Sequence, residues 1–431
     1  MALQQEDAPW RRFVNRRLEA AAVPVFWIAR GKVEPQRSLL EYRTLNVFPS
    51  LSFSDFKTAA KRVLQLKFDE AGELFFDQFI EKKFQGRFER AVREQIPLRS
   101  AGIQLSKNID RAVIRLAYSP LDDPAIPADM RQNVYETRGT RVLIPIPEKF
   151  STGVMEDIDT KITQYETLIT TYPDIHFYAL MLELIENSKF NPVNPIIPAA
   201  DAGRSIEYFL EHKPDGLELA LLPMASFDDH LKNYYRTDHH WNIYGTLAGY
   251  EIAYEILKKN YPDISPIIPH DNIYTFEDFG FLGRWSRQVF YKTIPDPFEV
   301  ALVDLPPYKI YNKEGEEISY NKKADYLAGN YSTVSFTDHY IEYNGADVNF
   351  LEYVSENGST RNLLIIGGSY TNAIEPLLAA HYHHTYAVDI RHYPDYYFSL
   401  GEFLTKYQVE DVIIIGGPSV VMRQWQWTIN P

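Results

Sequence analysis

Four aliphatic residues in a row, Leu363-Leu364-Ile365-Ile366, run directly into Gly367-Gly368-Ser369-Tyr370. A strand that is apolar at every position has no solvent face, so it belongs in a sheet covered on both sides. Other short apolar runs repeat the pattern at Val142-Leu143-Ile144-Pro145-Ile146, Ile175 to Leu182, Leu217 to Leu222, Tyr386 to Ile390 and Val412 to Ile415. Stretches of helical period separate them. That alternation predicts an α/β fold built on a parallel sheet flanked by helices.

Two parts of the chain have a different texture. Residues 1–115 alternate apolar and charged positions at helical spacing, as in Phe56 to Leu64 and Phe75 to Val92, which predicts an N-terminal helical region packed on an α/β domain over 116–431. The stretch 261–345 is rich in Pro, Asp, Asn and Tyr and has few periodic runs. It reads as an irregular insertion of loops and antiparallel strands, including Phe281 to Trp285 and Val300 to Asp304. No internal repeat or low-complexity tract is evident.

Composition narrows the partners. With 45% hydrophobic and 24% charged residues, 30 tyrosines and 25 phenylalanines, the 431-residue chain is globular rather than disordered. Its net charge of -14 argues against nucleic acid, because phosphate binding leaves a basic footprint. Arg11, Arg12, Arg16 and Arg17 form a local basic cluster, read as the solvated face of an amphipathic helix, with juxtamembrane polybasic character as the sharper alternative. There is no cysteine, which excludes disulfides, thiolate metal sites and a cysteine nucleophile. No apolar run reaches the ~18 residues of a membrane span. The nearest, Ala20 to Ala29, contains Pro24 and lacks a small-residue cleavage pattern.

The chemistry is concentrated in two segments. An apolar strand that ends in a glycine turn and feeds a helix, here starting near Asn372, places Ser369 at the carboxyl edge of a parallel sheet, where ligands bind. A Gly-Gly-Ser turn is, on its own, more often structural. Upstream lies Thr237-Asp238-His239-His240-Trp241-Asn242, followed by Gly245. A helix over Ile243 to Lys259 follows from the spacing of Leu247, Tyr250, Ile252, Ala253, Ile256 and Leu257, with Asn242 as its cap. Serine is a weak nucleophile until a base takes its proton, and histidine titrates in the range that suits the task. An aspartate beside it can fix the imidazole tautomer; the plainer alternative is that Asp238 and His239 satisfy exposed backbone at a helix start. Metal binding through Asp238, His239 and His240, or through His381, His383, His384 and His392, competes, yet neither group shows zinc-site spacing with an obvious third partner. The run His381-Tyr382-His383-His384 reads as a polar edge before a strand.

The segment Thr237 to Asn242, with Gly245 three positions later, resembles the Thr-Asp-x-His-Trp segment of SGNH-hydrolase-like polysaccharide O-acetyltransferases of the alginate-acetylation type. It is most similar to the bacterial DHHW family, named for this tetrapeptide. Ile365 to Asn372, Tyr386 to Tyr393, and Phe76 to Phe79 through Ile96 to Arg99 are similar to further parts of that family. The serine follows the Asp-His pair, as in the alginate-type relatives and unlike ordinary SGNH hydrolases. One position departs: Gly368 stands where many members have Asp or Thr.

This resemblance implies an SGNH-type O-acetyltransferase or acetylesterase in which Ser369 is the nucleophile, His240 the general base and Asp238 the orienting acid, with His239 a spacer. It implies a two-step transfer in which Ser369 takes an acetyl group and passes it to a sugar hydroxyl or to water. The Ser369 amide and the Asn372 region become oxyanion donors. Trp241, Tyr244, Trp285 and Tyr370 become a carbohydrate platform, against the plainer view that they are packing residues. Arg391 either meets an anionic sugar or pairs with a neighbouring acid. A polysaccharide acceptor and an extracytoplasmic location are expected, with a membrane acyltransferase partner as one source of the acyl group. No cofactor and no metal are expected. The competing expectation is a non-catalytic protein of this fold that binds a polysaccharide or an assembly partner.

Overall fold

The computed structural model of the chain describes residues 99–197, 200–290, 293–392 and 398–423. The expected helices before residue 99, the Arg11 to Arg17 cluster and the Ala20 to Ala29 run lie outside the described residues. In chain order, helix α1 (Arg99–Tyr118) precedes three short strands, β1 (Ala125–Pro127), β2 (Val134–Thr137) and β3 (Leu143–Pro145). Then come α2 (Thr152–Thr171), β4 (His176–Leu182), α3 (Arg204–His212), β5 (Leu217–Leu222), α4 (Phe227–Asn233) and α5 (Ile243–Asn260). The middle of the chain holds β6 (Ile273–Phe281), α6 (Arg284–Val289), β7 (Asp296–Ala301), β8 (Tyr308–Tyr311), α7 (Lys323–Leu327) and α8 (His339–Asn344). The last part runs β9 (Leu351–Ser355), β10 (Asn362–Gly367), α9 (Thr371–Ala379), β11 (His384–Val388), α10 (Leu400–Tyr407), β12 (Asp411–Gly416) and α11 (Pro418–Val421).

Seven strands form the main sheet in the order β5-β4-β12-β10-β11-β9-β8. The first five are parallel to their neighbours, and β9 and β8 add an antiparallel edge. The five parallel strands are the apolar runs from Ile175, Leu217, Leu363, Tyr386 and Val412. Their side chains alternate between two cores, as period-two geometry requires. Tyr178, Leu180, Leu363, Ile365, Ile413 and Ile415 pack on one face with Tyr250, Leu257, Ile374 and Leu378 from α5 and α9. Phe177, Ala179, Leu364, Ile366, Val412 and Ile414 pack on the other with Ile158, Tyr165 and Leu168 from α2 and Phe403 and Leu404 from α10. Both faces of the inner strands β4, β12 and β10 are therefore dry, which is why these strands carry no polar alternation.

One apolar run departs from the expected sheet. Val142 to Ile146 supplies β3 of a separate antiparallel sheet, β1-β2-β3. Its connection to β2 is a tight turn with Gly139 and Arg141 at positive φ, across which Thr137 N donates to the Val142 carbonyl and Val142 N donates to Thr137 Oγ1. A turn that short can only reverse the chain, whereas a parallel partner needs a long crossover. Between α5 and β9, strands β6 and β7 form a two-stranded antiparallel ladder with a register shift between Phe276 and Gly280. No helix among the described residues is long and apolar enough to cross a membrane.

Candidate active site

Helix α5 starts where the sequence places it. Asn242 is its cap, and its Oδ1 accepts hydrogen bonds from Tyr244 N at 3.0 Å and Gly245 N at 3.1 Å. The residues before it double back. Tyr234 and Trp241 form an antiparallel bridge, and Asn242 N donates to Asn233 O, so Asp238 and His239 lie at the tip of a closed loop. Gly245 permits this closure, because a Cβ there would collide with the Asn233 carbonyl and the Trp241 side chain.

The second segment is a strand-to-helix turn at the carboxyl end of β10, in the middle of the sheet. Thr371 N and Oγ1 both donate to the Gly368 carbonyl, closing the turn as α9 begins. A Cβ at Gly367 would meet Thr371 and the Ile415 carbonyl of the adjacent strand β12, so only glycine fits there.

The two segments meet through a continuous chain of hydrogen bonds. Asp238 is 2% exposed, and its Oδ1 lies 2.6 Å from His240 Nδ1 while also accepting from His240 N at 3.0 Å. His240 Nε2 lies 2.6 Å from Ser369 Oγ. With Nδ1–H donating to the carboxylate, Nε2 presents a lone pair to the serine hydroxyl. Asp238 Oδ2 accepts from Arg284 N at the start of α6, and Gly283 passes so close that a Cβ would strike the Asp238 side chain.

The electrostatics suit a neutral base. Burial opposes the charge on Asp238, but the imidazoles of His240 and His239 outweigh it and hold the carboxyl well below the usual range. Burial lowers the pKa of His240, with His239 acting in the same direction and Asp238 against it. The His240 ring is therefore neutral at neutral pH and free to accept a proton.

His239 is more than a spacer. Its Nδ1 lies 3.1 Å from Asp238 Oδ1, although without hydrogen-bond alignment, and its ring stands edge-on to Trp285 and Tyr370, with centroids 6.0 Å away in both cases. The 2.6 Å separation of Asp238 Oδ1 and His240 Nδ1 is a proton-sharing distance. Asp238, His239 and His240 together bring three possible ligand atoms within 4.8 Å of one another.

The remaining expected residues are placed less favourably for substrate. Trp241 is fully buried (0% exposed), its indole wedged against Gly249 of α5, so it packs in the core and presents no sugar platform. Tyr370 is also buried, and its hydroxyl donates to the His239 carbonyl at 2.7 Å. The Asn372 carboxamide is committed as a donor to Gly345 O at 2.9 Å and Asp347 Oδ1 at 3.3 Å, which takes it away from an oxyanion role. Arg391 pairs with Asp389 and Asp347, the plainer of its two expected roles. Of the other aromatic candidates, Trp285 is half-buried beside His239, and Tyr244 is exposed.

His381 is not part of a polar edge. It is 1% exposed and bonded to Tyr250 Oη and Ser265 Oγ, both at 2.7 Å, because the turn after α9 folds inward against α5. Among the described residues, Asp347, Asp389 and His392 also bring ligand atoms together, with the Arg391 guanidinium already bridging the two carboxylates.

Tyr340 of α8 was not evident from the sequence. It stacks on His240 and bonds to the Ser369 carbonyl, and it comes from a stretch without periodic pattern.

No protein-family model matches the sequence, and no curated protein matches it. Solved structures do. Bacillus cereus PatB1 with a sulfonyl adduct is 16% identical and superposes with a TM-score of 0.51, covering 67% of this chain and 98% of its own. A DHHW family protein from Eubacterium siraeum is 15% identical with a TM-score of 0.51, covering 70% of this chain and 94% of its own. The O-acetyltransferase domain of Pseudomonas putida AlgJ aligns at 10% identity with a TM-score of 0.35, over 66% of this chain and 90% of that domain. The chain therefore has the SGNH-hydrolase-like α/β fold shared by PatB1 and the DHHW family protein, the fold implied by the resemblance of its Asp238-His239-His240-Trp241 segment.

Proposed function

We propose that the protein is a serine-dependent acyltransferase or esterase that moves an acetyl group to or from an exported or cell-surface polysaccharide. The observation that carries this reading is the unbroken Asp238–His240–Ser369 hydrogen-bond chain, with both side-chain links at 2.6 Å. It sits at the carboxyl edge of the sheet, where the serine on the glycine turn is half-buried.

Ser369 Oγ attacks the carbonyl carbon of the acyl donor while His240 Nε2 takes its proton. Asp238 stabilises the resulting imidazolium through Nδ1. The Ser369 amide, at the start of α9, is the candidate donor to the oxyanion. Collapse of the tetrahedral intermediate expels the donor's leaving group, which receives the proton from His240 and leaves an acetyl ester on Ser369. In the second half His240 deprotonates a sugar hydroxyl or water, which attacks that ester, and the departing Ser369 Oγ takes the proton back from His240, releasing the acetylated sugar or acetate.

The half-buried indole of Trp285 beside His239 is the aromatic face best placed to meet a sugar ring. The polysaccharide acceptor, the extracytoplasmic location and a membrane partner that supplies the acyl group follow from the resemblance. Hydrolysis of p-nitrophenyl acetate tests the core of the reading. Ser369→Ala should abolish turnover with an unchanged circular dichroism spectrum. Retained turnover would remove Ser369 as nucleophile, and a wild-type protein that never turns over the ester but binds polysaccharide would favour the non-catalytic reading. Acetyl transfer to an oligosaccharide, measured against free acetate release, separates transferase from esterase.

A further inference from the structure

The loop that carries His240 is held from below by a buried acid on the β6–β7 ladder. Asp296 opens β7 and is 3% exposed. Its Oδ1 accepts from Arg236 N at 2.7 Å, and its Oδ2 accepts from Thr237 N at 3.0 Å and Thr237 Oγ1 at 2.6 Å. Having given its proton to Asp296, the Thr237 hydroxyl accepts from Gly283 N at 2.9 Å. The Thr237 carbonyl accepts from Trp285 N at 2.9 Å, and Asp238 Oδ2 accepts from Arg284 N. The residues just before His240 are thus tied on one side to β7 and on the other to the start of α6.

A buried carboxylate is costly unless donors surround it. A simple packing position would be served at lower cost by an apolar side chain of similar volume. Here three donors converge on one acid, and all three belong to the two residues that precede Asp238. Burial pushes the Asp296 carboxyl up to about 7, against the lowering effect of its bonds to Thr237 and Arg236.

We propose that Asp296 is a positioning residue for the base: acting through Thr237, it sets the height of the loop so that His240 Nε2 meets Ser369 Oγ. This inference rests on the acyl-serine reading. The segment between α5 and β9 then does more than cover the core, since it supplies the support on which the base rests.

The test compares Asp296→Asn, Thr237→Val and Thr237→Ser in the full chain, with steady-state hydrolysis of p-nitrophenyl acetate as the assay. A misplacement of about 1 Å can cost ~100-fold in rate. Asp296→Asn and Thr237→Val should therefore lose about 100-fold in kcat with KM changed by less than about three-fold, while Thr237→Ser, which keeps the hydroxyl, stays within about five-fold of wild type. A role confined to stability would lower the melting temperature and leave kcat of the folded fraction unchanged. That outcome, or Thr237→Val and Thr237→Ser behaving alike, would overturn the proposal. If Asp296→Asn does not fold, the Thr237 pair decides. Ser369→Ala run in parallel separates the two readings. An inactive Ser369→Ala beside fully active Asp296→Asn and Thr237→Val sinks only the positioning role, whereas an active Ser369→Ala sinks the acyl-serine reading on which it rests.

Discussion

The ring of Tyr340 lies flat against the imidazole of His240, with centroids 4.0 Å apart and planes inclined by 11°, while its hydroxyl donates to the Ser369 carbonyl at 2.9 Å. One side chain thus braces the His240 ring by contact and the Ser369 backbone by a hydrogen bond. Tyr340 is itself buried, on α8, so its position is set by packing rather than by solvent-facing freedom.

Separating these two contacts gives the first prediction. Tyr340→Phe keeps the stacked ring and loses a hydrogen bond whose net contribution is about 0.5–1.5 kcal/mol, so kcat/KM for a small acetyl ester should fall by less than about ten-fold. Tyr340→Leu removes the flat face as well and should fall further. Equal losses in the two variants, measured on protein with matching circular dichroism, would show that the stack contributes nothing.

The lowered pKa of His240 predicts the pH dependence. A protonated imidazole cannot accept the serine proton, so activity is lost as pH falls through the folded-state pKa. Because burial places that pKa below its ordinary value, the His240 limb of kcat/KM should be centred below pH ~6.5. A limb centred above pH 7 would contradict a neutral resting base.

Asp238→Asn should leave the fold nearly intact and lower kcat by about 10³–10⁴-fold, since a carboxamide can present its NH₂ to Nδ1 and favour the wrong tautomer. The acid limb should also move down, because the carboxylate works to raise the His240 pKa. A drop of less than ten-fold would mean that the orienting acid is not Asp238.

Gly283→Ala tests the close approach behind that acid. The added methyl would collide with the Asp238 side chain, and the backbone must shift to accommodate it. A loss of about 1–3 kcal/mol in stability is expected from overpacking, together with reduced ester turnover. Denaturant unfolding and the esterase assay, run on the same preparation, report the two effects. An unchanged melt with full activity would show that α6 yields freely.

Two tryptophans should behave in opposite ways. Trp241→Ala empties a buried site against Gly249 and should cost about 3–5 kcal/mol of stability. Trp285→Ala should leave stability closer to wild type and raise KM for an oligosaccharide acceptor, leaving hydrolysis of p-nitrophenyl acetate within a few-fold. Calorimetry and acceptor titration distinguish them.

Much of this arrangement was legible beforehand. The five parallel strands announced themselves as runs without polar alternation, and α5 through its spacing and its Asn242 cap. Where reading failed, the missing quantity was orientation. The run at Val142 was apolar enough for the parallel sheet but is reversed by the turn before it. Trp241 and Tyr370 adjoin reactive residues in sequence, yet their side chains point into the core, and sequence adjacency says nothing about which way a loop residue faces. Tyr340 and Gly283 come from an aperiodic stretch where no pattern marks a residue that will touch His240 or Asp238.

The sequence by itself determined the sheet, because burial on both faces demands uninterrupted apolar strands, and it brought Asp238, His239, His240 and Ser369 forward as candidates, because few side chains can supply a nucleophile, a base and an orienting acid. The assignment of His240 as base came from the family resemblance. The tertiary structure places His240 rather than His239 against the serine, as the resemblance implies, and it alone decided that Tyr340 lies on that ring and that the loop rests on β7 and α6. Those facts are distances between segments remote in the chain. They depend on how helices and turns pack across the sheet edge, and local propensity carries no record of that packing.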